Sequence, residues 1–125
     1  MFQLTGVAIC AALSLPAVAT ADDDRREVRK TGTCTASSTV SIRLRAEDGE
    51  IRVEVEIETR RPTSSWNVIL LHERKIVFRG PIRAQSGGNR SVRLRRTIAD
   101  WFGPDTIVVR ASGPRVETCR VTATV

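Results

Sequence analysis

The sequence is short of the residues that most often carry catalysis. It has a single histidine and no tyrosine, and aromatic residues make up 4% of its 125 positions. No serine or cysteine lies in a nucleophile frame such as Gly-x-Ser-x-Gly. The one histidine, His72, has the same phase as Trp66 and Leu70, so it is expected to pack near a strand end rather than act as a base. These shortages predict a protein that is not an enzyme and has no catalytic residue.

Metal, cofactor and nucleic-acid sites are also not indicated. The acidic run of residues 22–24 lies in a polar segment, and residues 47–50 are too compact for a calcium loop, so we expect no metal and no cofactor. Lysine and arginine outnumber acidic residues by 20 to 14. These cations are scattered over several segments without interleaved aromatic residues, which disfavours nucleic-acid binding. The excess, if it is more than a GC-rich coding bias, favours an anionic partner outside the cell.

No apolar run reaches the roughly 20 residues that a bilayer span requires. The longest, residues 6–15, is followed by Pro16, by small residues up to Ala21, and then by three aspartates. This order predicts a secretory signal peptide over residues 1–21. A transmembrane anchor is the alternative, and it lacks both the length and the basic flanks. We therefore expect a secreted protein, extracellular or periplasmic, with no membrane span after signal removal, and the arginine usage suggests a bacterium.

Cysteine is scarce, with three residues in the chain. Loss of the signal peptide removes Cys10 and leaves Cys34 and Cys119, which an oxidising compartment would join. The alternative is two free thiols in a cytosolic protein. Both cysteines have the phase of inward residues on their segments, so we expect α-carbons roughly 4.4 to 6.8 Å apart.

Residues 22–32 contain almost no apolar side chains and predict a flexible tail. From residue 33 to residue 125 the apolar residues alternate with polar ones, and no helical stripe is present. This pattern predicts one all-β domain of about seven strands separated by turns. The expected strands are Thr33–Ala46, Glu50–Arg60, Ser65–His72, Lys75–Arg79, Arg90–Ile98, Asp105–Ala111 and Arg115–Val125.

Seven short strands without a helix predict a two-sheet antiparallel sandwich. The strand count, Trp66 early in the third strand, and the corner at residues 99–105 resemble immunoglobulin-like and fibronectin type III-like domains. The resemblance implies an immunoglobulin-like architecture. The chain departs from the antibody type, because its cysteines lie on the first and last strands and it has no tyrosine for a tyrosine corner.

Two outer surfaces follow from the strand phases. On the second strand Glu54, Glu56 and Glu58 face outward, and arginines of the neighbouring strands are expected to meet them. The arginines concerned are Arg43, Arg45, Arg93 and Arg95.

The third and sixth strands are apolar on both faces, which indicates that the outer face of their sheet is covered or adhesive. We call the expected surface the outer patch. It consists of Ile69, Leu71, Val77 and Val108, with Arg79 and Arg110 at its rim. Its composition suits a protein or anionic envelope partner, or a homodimer. The alternatives are apolar residues exposed singly, or a tail folded over them.

These observations predict a secreted, non-catalytic binding or adhesion module. One alternative is an enzyme inhibitor that presents a loop at residues 85–89, although the two glycines there would leave the loop unrestrained. Another is a small hydrolase of unrecognised type, which would require a deep polar pocket around His72.

Overall fold

Alternation of apolar and polar residues determines the strands of the protein. A computed structural model describes residues 26–59, 65–83 and 91–125. These residues form nine strands and a short 3₁₀ helix, Pro114–Val116. The strands are β1 (Arg26–Thr31), β2 (Thr33–Cys34), β3 (Thr39–Glu47), β4 (Glu50–Glu58), β5 (Ser65–His72), β6 (Lys75–Arg83), β7 (Ser91–Ala99), β8 (Thr106–Ser112) and β9 (Thr118–Thr124).

The strands form two antiparallel sheets, which confirms the predicted sandwich. The four-stranded sheet has the order β1-β3-β4-β7, and the five-stranded sheet has the order β2-β9-β8-β5-β6. The predicted neighbours are confirmed too, since β4 lies between β3 and β7, while β5, β6 and β8 share a sheet. Within the described part of the chain, no helix is long and apolar enough to cross a membrane.

The core consists of the inward residues of both sheets. On β4 every second residue is buried, from Ile51 to Ile57, and Trp66 on β5 is fully buried. Burying one large apolar side chain contributes about 1.5–3 kcal/mol. Gly113 lies against the Trp66 ring, where an added Cβ would be 2.6 Å from the ring atoms. Tryptophan therefore fills the core up to the neighbouring backbone.

Strand β1 lies within residues 22–32, for which the sequence predicted a flexible tail. Residues Arg26–Thr31 pair with β3 along their whole length. Val28, the one apolar side chain there, packs against the core, while Glu27 forms ion pairs with Arg29 and Arg43. An edge strand held by backbone hydrogen bonds and one apolar contact lacks the alternation that marks a strand in sequence. The sandwich thus includes residues before 33, and residues 22–25 and the predicted signal peptide lie outside the described residues.

Between β1 and β2 the chain moves from one sheet to the other through Gly32. The Gly32 N–H donates to the Val40 carbonyl at 2.9 Å. A Cβ at this position would overlap the carbonyl oxygen of Arg120. Only glycine permits so close an approach of two backbones.

The disulfide is confirmed. Cys34 on β2 lies directly opposite Cys119 on β9, with an S–S distance of 2.02 Å. Their α-carbons are 4.0 Å apart, slightly closer than expected. Cys119 is buried, and Cys34 is half-buried and packs against the core. The predicted first strand, Thr33–Ala46, is wrong in one respect, because a bend after Cys34 divides it into β2 and β3, which lie in different sheets. The bond fixes the two-residue strand β2 to the edge of the five-stranded sheet.

Two tight hairpins have residues with positive φ. Asp48 and Gly49, with φ of 54° and 80°, form the predicted turn between β3 and β4. The β5–β6 turn places Glu73 and Arg74 at φ of 51° and 73° without a glycine. The Thr106 N–H donates to the Glu73 carboxylate at 2.7 Å, which holds this turn against β8.

Candidate functional site

The outer face of the four-stranded sheet is a network of opposite charges. Arg43 and Arg95 lie on either side of Glu54, at 3.7 and 3.9 Å. Arg93 contacts Glu56 at 3.0 Å. The predicted arginine contacts are thereby confirmed for two of the three glutamates.

Two residues depart from that prediction. Glu58 lies opposite Thr39 and Ser91 rather than an arginine. Arg45 contacts Glu27 of β1 at 3.9 Å, a strand that the sequence analysis did not place in the sheet. On this face, therefore, arginines and glutamates largely neutralise one another, through exposed pairs that each contribute about 0.2–1 kcal/mol.

The outer face of the five-stranded sheet has a different composition, and we call it the cationic face. Across its strands Arg79, Ile69, Arg110 and Arg120 lie side by side in one row. In the next row Leu71 pairs with Val108. The structure thus places the six residues of the predicted outer patch on adjacent strands of one sheet.

A β-bulge changes one member of the outer patch. The register of β5 and β6 shifts between Leu70 and Leu71, so that Leu71 lies opposite Ile76. Val77 is the inserted residue of the bulge. Ile76 and Val77 are 50% and 38% exposed, whereas Ile69 is half-buried. Strand phase assigned Val77 to the patch because it could not detect the bulge, and Ile76 is the additional apolar residue.

The arginines of the cationic face have no acidic neighbours. Among the described residues, Arg79, Arg110 and Arg120 form no ion pair with a carboxylate. The two acids at the ends of this sheet are engaged elsewhere: Glu73 accepts from the Thr106 N–H, and Glu117 accepts from Ser38. Within the described part of the chain, the cationic face therefore carries positive charge that no carboxylate pairs with.

Two of these arginines are directly opposed. Arg110 on β8 pairs in register with Arg120 on β9. Like charges at directly opposite positions of an antiparallel pair repel and destabilise the sheet. A depression of about 380 Å³ lies at this point. Its lining includes both arginines and the hydroxyl residues Thr33, Thr35, Ser112 and Thr118.

A second group of polar residues lies buried at one end of the sandwich. His72 Nε2 is 2.7 Å from Asp105 Oδ1, and both side chains are almost completely buried. The Trp101 ring stacks on the imidazole with centroids 3.8 Å apart, and the Trp101 backbone N–H donates to Asp105 Oδ1 at 3.2 Å. His72 is thus a packed residue at a strand end, as predicted, and Trp101 covers it.

Asp100 interacts with this buried pair. Its pKa is raised above the ordinary value of 3.8, first by a hydrogen bond with Asp105, then by burial and by repulsion from the Asp105 charge. Arg26 lies 3.7 Å from Asp100 and opposes the shift. Repulsion between two nearby carboxyls thus favours the protonated form of Asp100.

No motif in the sequence marks this group of residues. Asp105 has the inward phase of Ile107 and Val109, and an aspartate at an inward position was the one available indication of a buried partner for His72. Of the two aromatic residues at this corner, Trp101 contacts the buried pair. Phe102 is fully exposed.

The disulfide region contains a third cluster of possible ligand atoms, from Cys34, Glu117 and Cys119. The two sulfurs are bonded to each other, and the carboxylate accepts from the N–H and hydroxyl of Ser38. These groups serve the fold. Residues 85–89, the loop considered for an inhibitor, lie outside the described residues.

The arrangement of strands defines a two-sheet antiparallel β-sandwich that is compatible with an immunoglobulin-like fold. Comparison of the chain with protein-family models, with curated proteins and with solved structures finds no match. Function must therefore be argued from the surfaces of the molecule.

Proposed function

We propose that the protein is a secreted bacterial module of the immunoglobulin-like class, extracellular or periplasmic, that binds another protein without catalysis. The proposed binding site is the cationic face, and the proposed partner presents an apolar centre with an acidic rim. Support comes from the composition of this face. Apolar residues with arginine at the margin are typical of protein interfaces, which are enriched in arginine and depleted of other charged residues at their centre.

The observation that carries the proposal is the difference between the two outer faces. Each sheet exposes arginines, but on the four-stranded sheet Glu54 and Glu56 pair with them. On the cationic face Arg79 and Arg110 lie beside the half-buried Ile69 instead. A surface that needed only solubility would not require this separation. The unpaired cations favour an acidic partner and raise the rate of its association.

Charge also argues against a homodimer through this face. A two-fold symmetric pair brings the same surface of both copies together. Arg79, Arg110 and Arg120 of one copy would then approach those of the other, and no acid among the described residues pairs with them to offset the repulsion. The occupant is therefore a different, acidic molecule.

The test uses a double variant, Ile69→Ser with Leu71→Ser. Both side chains are half-buried on the outer side of β5, so the variant should melt close to the wild type and lose apolar contact with the partner. The wild-type protein is used to capture binders from culture supernatant and envelope fractions, and each captured protein is purified and titrated. We expect an acidic protein whose affinity falls about tenfold or more in the double variant.

A matched control is Arg93→Ser with Arg95→Ser on the opposite face, which should leave the affinity unchanged. Equal loss in both double variants, or capture of anionic envelope polymers alone, would reject the protein-binding proposal. A large drop in melting temperature for the Ile69 and Leu71 variant would show that these residues are core.

A further inference from the structure

The opposed pair Arg110 and Arg120 is the most unusual feature of the cationic face. Side chains at directly opposite positions of antiparallel strands have Cβ atoms about 4.5–5.5 Å apart. Both residues are exposed, and neither is ion-paired in the part of the chain that the structure describes. The fold therefore holds the two arginines at directly opposite positions, and among the described residues no carboxylate pairs with either of them.

Hydroxyl groups surround this pair. Thr33 on β2 lies opposite Arg120, and Ser112 lies opposite Thr118 one outward position further along β8 and β9. The depression of about 380 Å³ that these residues line is open to solvent. Arginine and hydroxyl side chains together offer many hydrogen-bond donors to an anion.

The number and placement of the donors select the type of anion. One planar carboxylate matches the fork of a single guanidinium. A tetrahedral oxyanion has oxygens that point in several directions, so it can accept from two guanidinium groups at once. Phosphate esters carry about −1.5 to −2 charges near neutral pH, which balances two arginines.

We infer that the depression between Arg110 and Arg120 binds a tetrahedral oxyanion, namely a phosphate or sulfate group. This site is separate from the apolar residues of the proposed protein interface. The inference does not rest on that interface, and each of the two can be disproved without the other. The anion is either free in solution or attached to a larger molecule. The chemistry of recognition is the same for both sources.

The disulfide positions one side of this site. Cys119 immediately precedes Arg120, and its partner Cys34 immediately follows Thr33. The two-residue strand β2 makes a short backbone pairing with β9, which hydrogen bonds between Thr35 and Thr118 extend, and the disulfide adds a covalent link at this point. Opening the disulfide should therefore weaken anion binding as well as stability.

The experiment is a titration of the purified protein with inorganic phosphate and with inorganic sulfate, at ionic strength held constant with chloride. The readout is the chemical shift of the arginine Nε–H groups. We expect saturable shifts of Arg110 and Arg120, and an apparent affinity lower by about tenfold or more in Arg110→Gln and in Arg120→Gln. Arg110→Lys, which keeps the charge and loses the fork, should bind with intermediate affinity.

The matched control is Arg93→Gln, since Arg93 is exposed on the opposite face and paired with Glu56. It should bind phosphate as the wild type does.

A neutral peptide with one phosphoserine then identifies the source of the anion. Tighter binding of the peptide than of inorganic phosphate indicates that the phosphate group is carried by a partner, and equal binding indicates a free ion. Shifts that do not saturate, or equal losses in Arg93→Gln and Arg120→Gln, would overturn the inference.

Discussion

At the scale of single residues, the buried pair of His72 and Asp105 depends on its surroundings. An imidazole and a carboxylate removed from water are tolerable only when they bond to each other and to neighbouring groups. Trp101 supplies a backbone N–H and covers the imidazole with its ring. The second oxygen of Asp105, Oδ2, is buried and has no hydrogen-bond partner among the described residues. The pKa of Asp100 is raised beside this pair, first by its hydrogen bond with Asp105, so its protonation adds a pH dependence to the stability of the fold.

We predict that Asp100→Asn removes a pH dependence of stability. Because the pKa of Asp100 is raised in the folded protein, the folded state binds this proton more tightly than the unfolded chain. This proton stabilises the folded state fully at pH values below 3.8, the ordinary pKa of the carboxyl group. The stabilisation is lost as the pH rises through the higher pKa that Asp100 has in the folded protein. The asparagine variant should therefore gain stability relative to wild type as pH rises toward neutrality.

Urea unfolding at a series of pH values measures this difference. Asp48→Asn is the control, because it removes one carboxylate from an exposed turn and asparagine accepts the positive φ found there. A difference between Asp100→Asn and wild type that stays constant with pH would contradict the assignment.

At the scale of strands, strict alternation is what made the fold predictable. The strands β4 and β5 have an apolar residue at every second position. This alternation predicts the ends of both strands to within a few residues, and it also predicts which strands lie beside them. Strand β1 was not predicted because backbone hydrogen bonds and ion pairs, rather than alternating apolar residues, attach it to the sheet. The bulge at Val77 was not predicted because an inserted residue does not change the composition of the strand. The opposed arginines required the register of β8 and β9, which phase alone does not supply.

The crossover at Gly32 provides a prediction at this scale. In Gly32→Ala the new Cβ would overlap the Arg120 carbonyl, so β1 and β2 could not both keep their pairing. We expect a loss of about 1–3 kcal/mol of unfolding free energy. Gly80→Ala is the matched control, since a Cβ there meets only ordinary contacts with the Phe78 ring at 3.5 Å.

Chemical denaturation of the two alanine variants separates the alternatives. Gly80→Ala should match or slightly exceed the wild type, because alanine lowers the entropy of the unfolded chain. Equal stability of Gly32→Ala and wild type would mean that the backbones of residues 32 and 120 lie further apart than described.

At the scale of the whole molecule, one covalent link joins the two ends of the sandwich sequence. The disulfide spans 85 residues, and it closes a loop that contains nearly all of the described strands. In the chain-entropy model such a loop lowers the free energy of folding by about 4–5 kcal/mol. This is a large part of the stability of about 5–15 kcal/mol that is usual for a domain.

We therefore predict that Cys34→Ser with Cys119→Ser lowers the unfolding free energy by about 4–5 kcal/mol. Wild-type protein in a reducing agent should unfold at a similarly reduced denaturant concentration. The double variant should not respond to the reducing agent. A wild type insensitive to reduction, with the bond shown by mass analysis to be open, would contradict the prediction.

Within the described sandwich, the unequal charge of the two outer faces produces an electric dipole that runs from one sheet to the other. The paired face contributes little to it, and the unpaired arginines of the other face form its positive end. In the field of an acidic target the protein therefore rotates before contact, so that the five-stranded sheet leads. Salt shortens the range of this alignment to about 8 Å at physiological ionic strength. Productive encounters should accordingly become rarer with added salt while the rate of dissociation changes little.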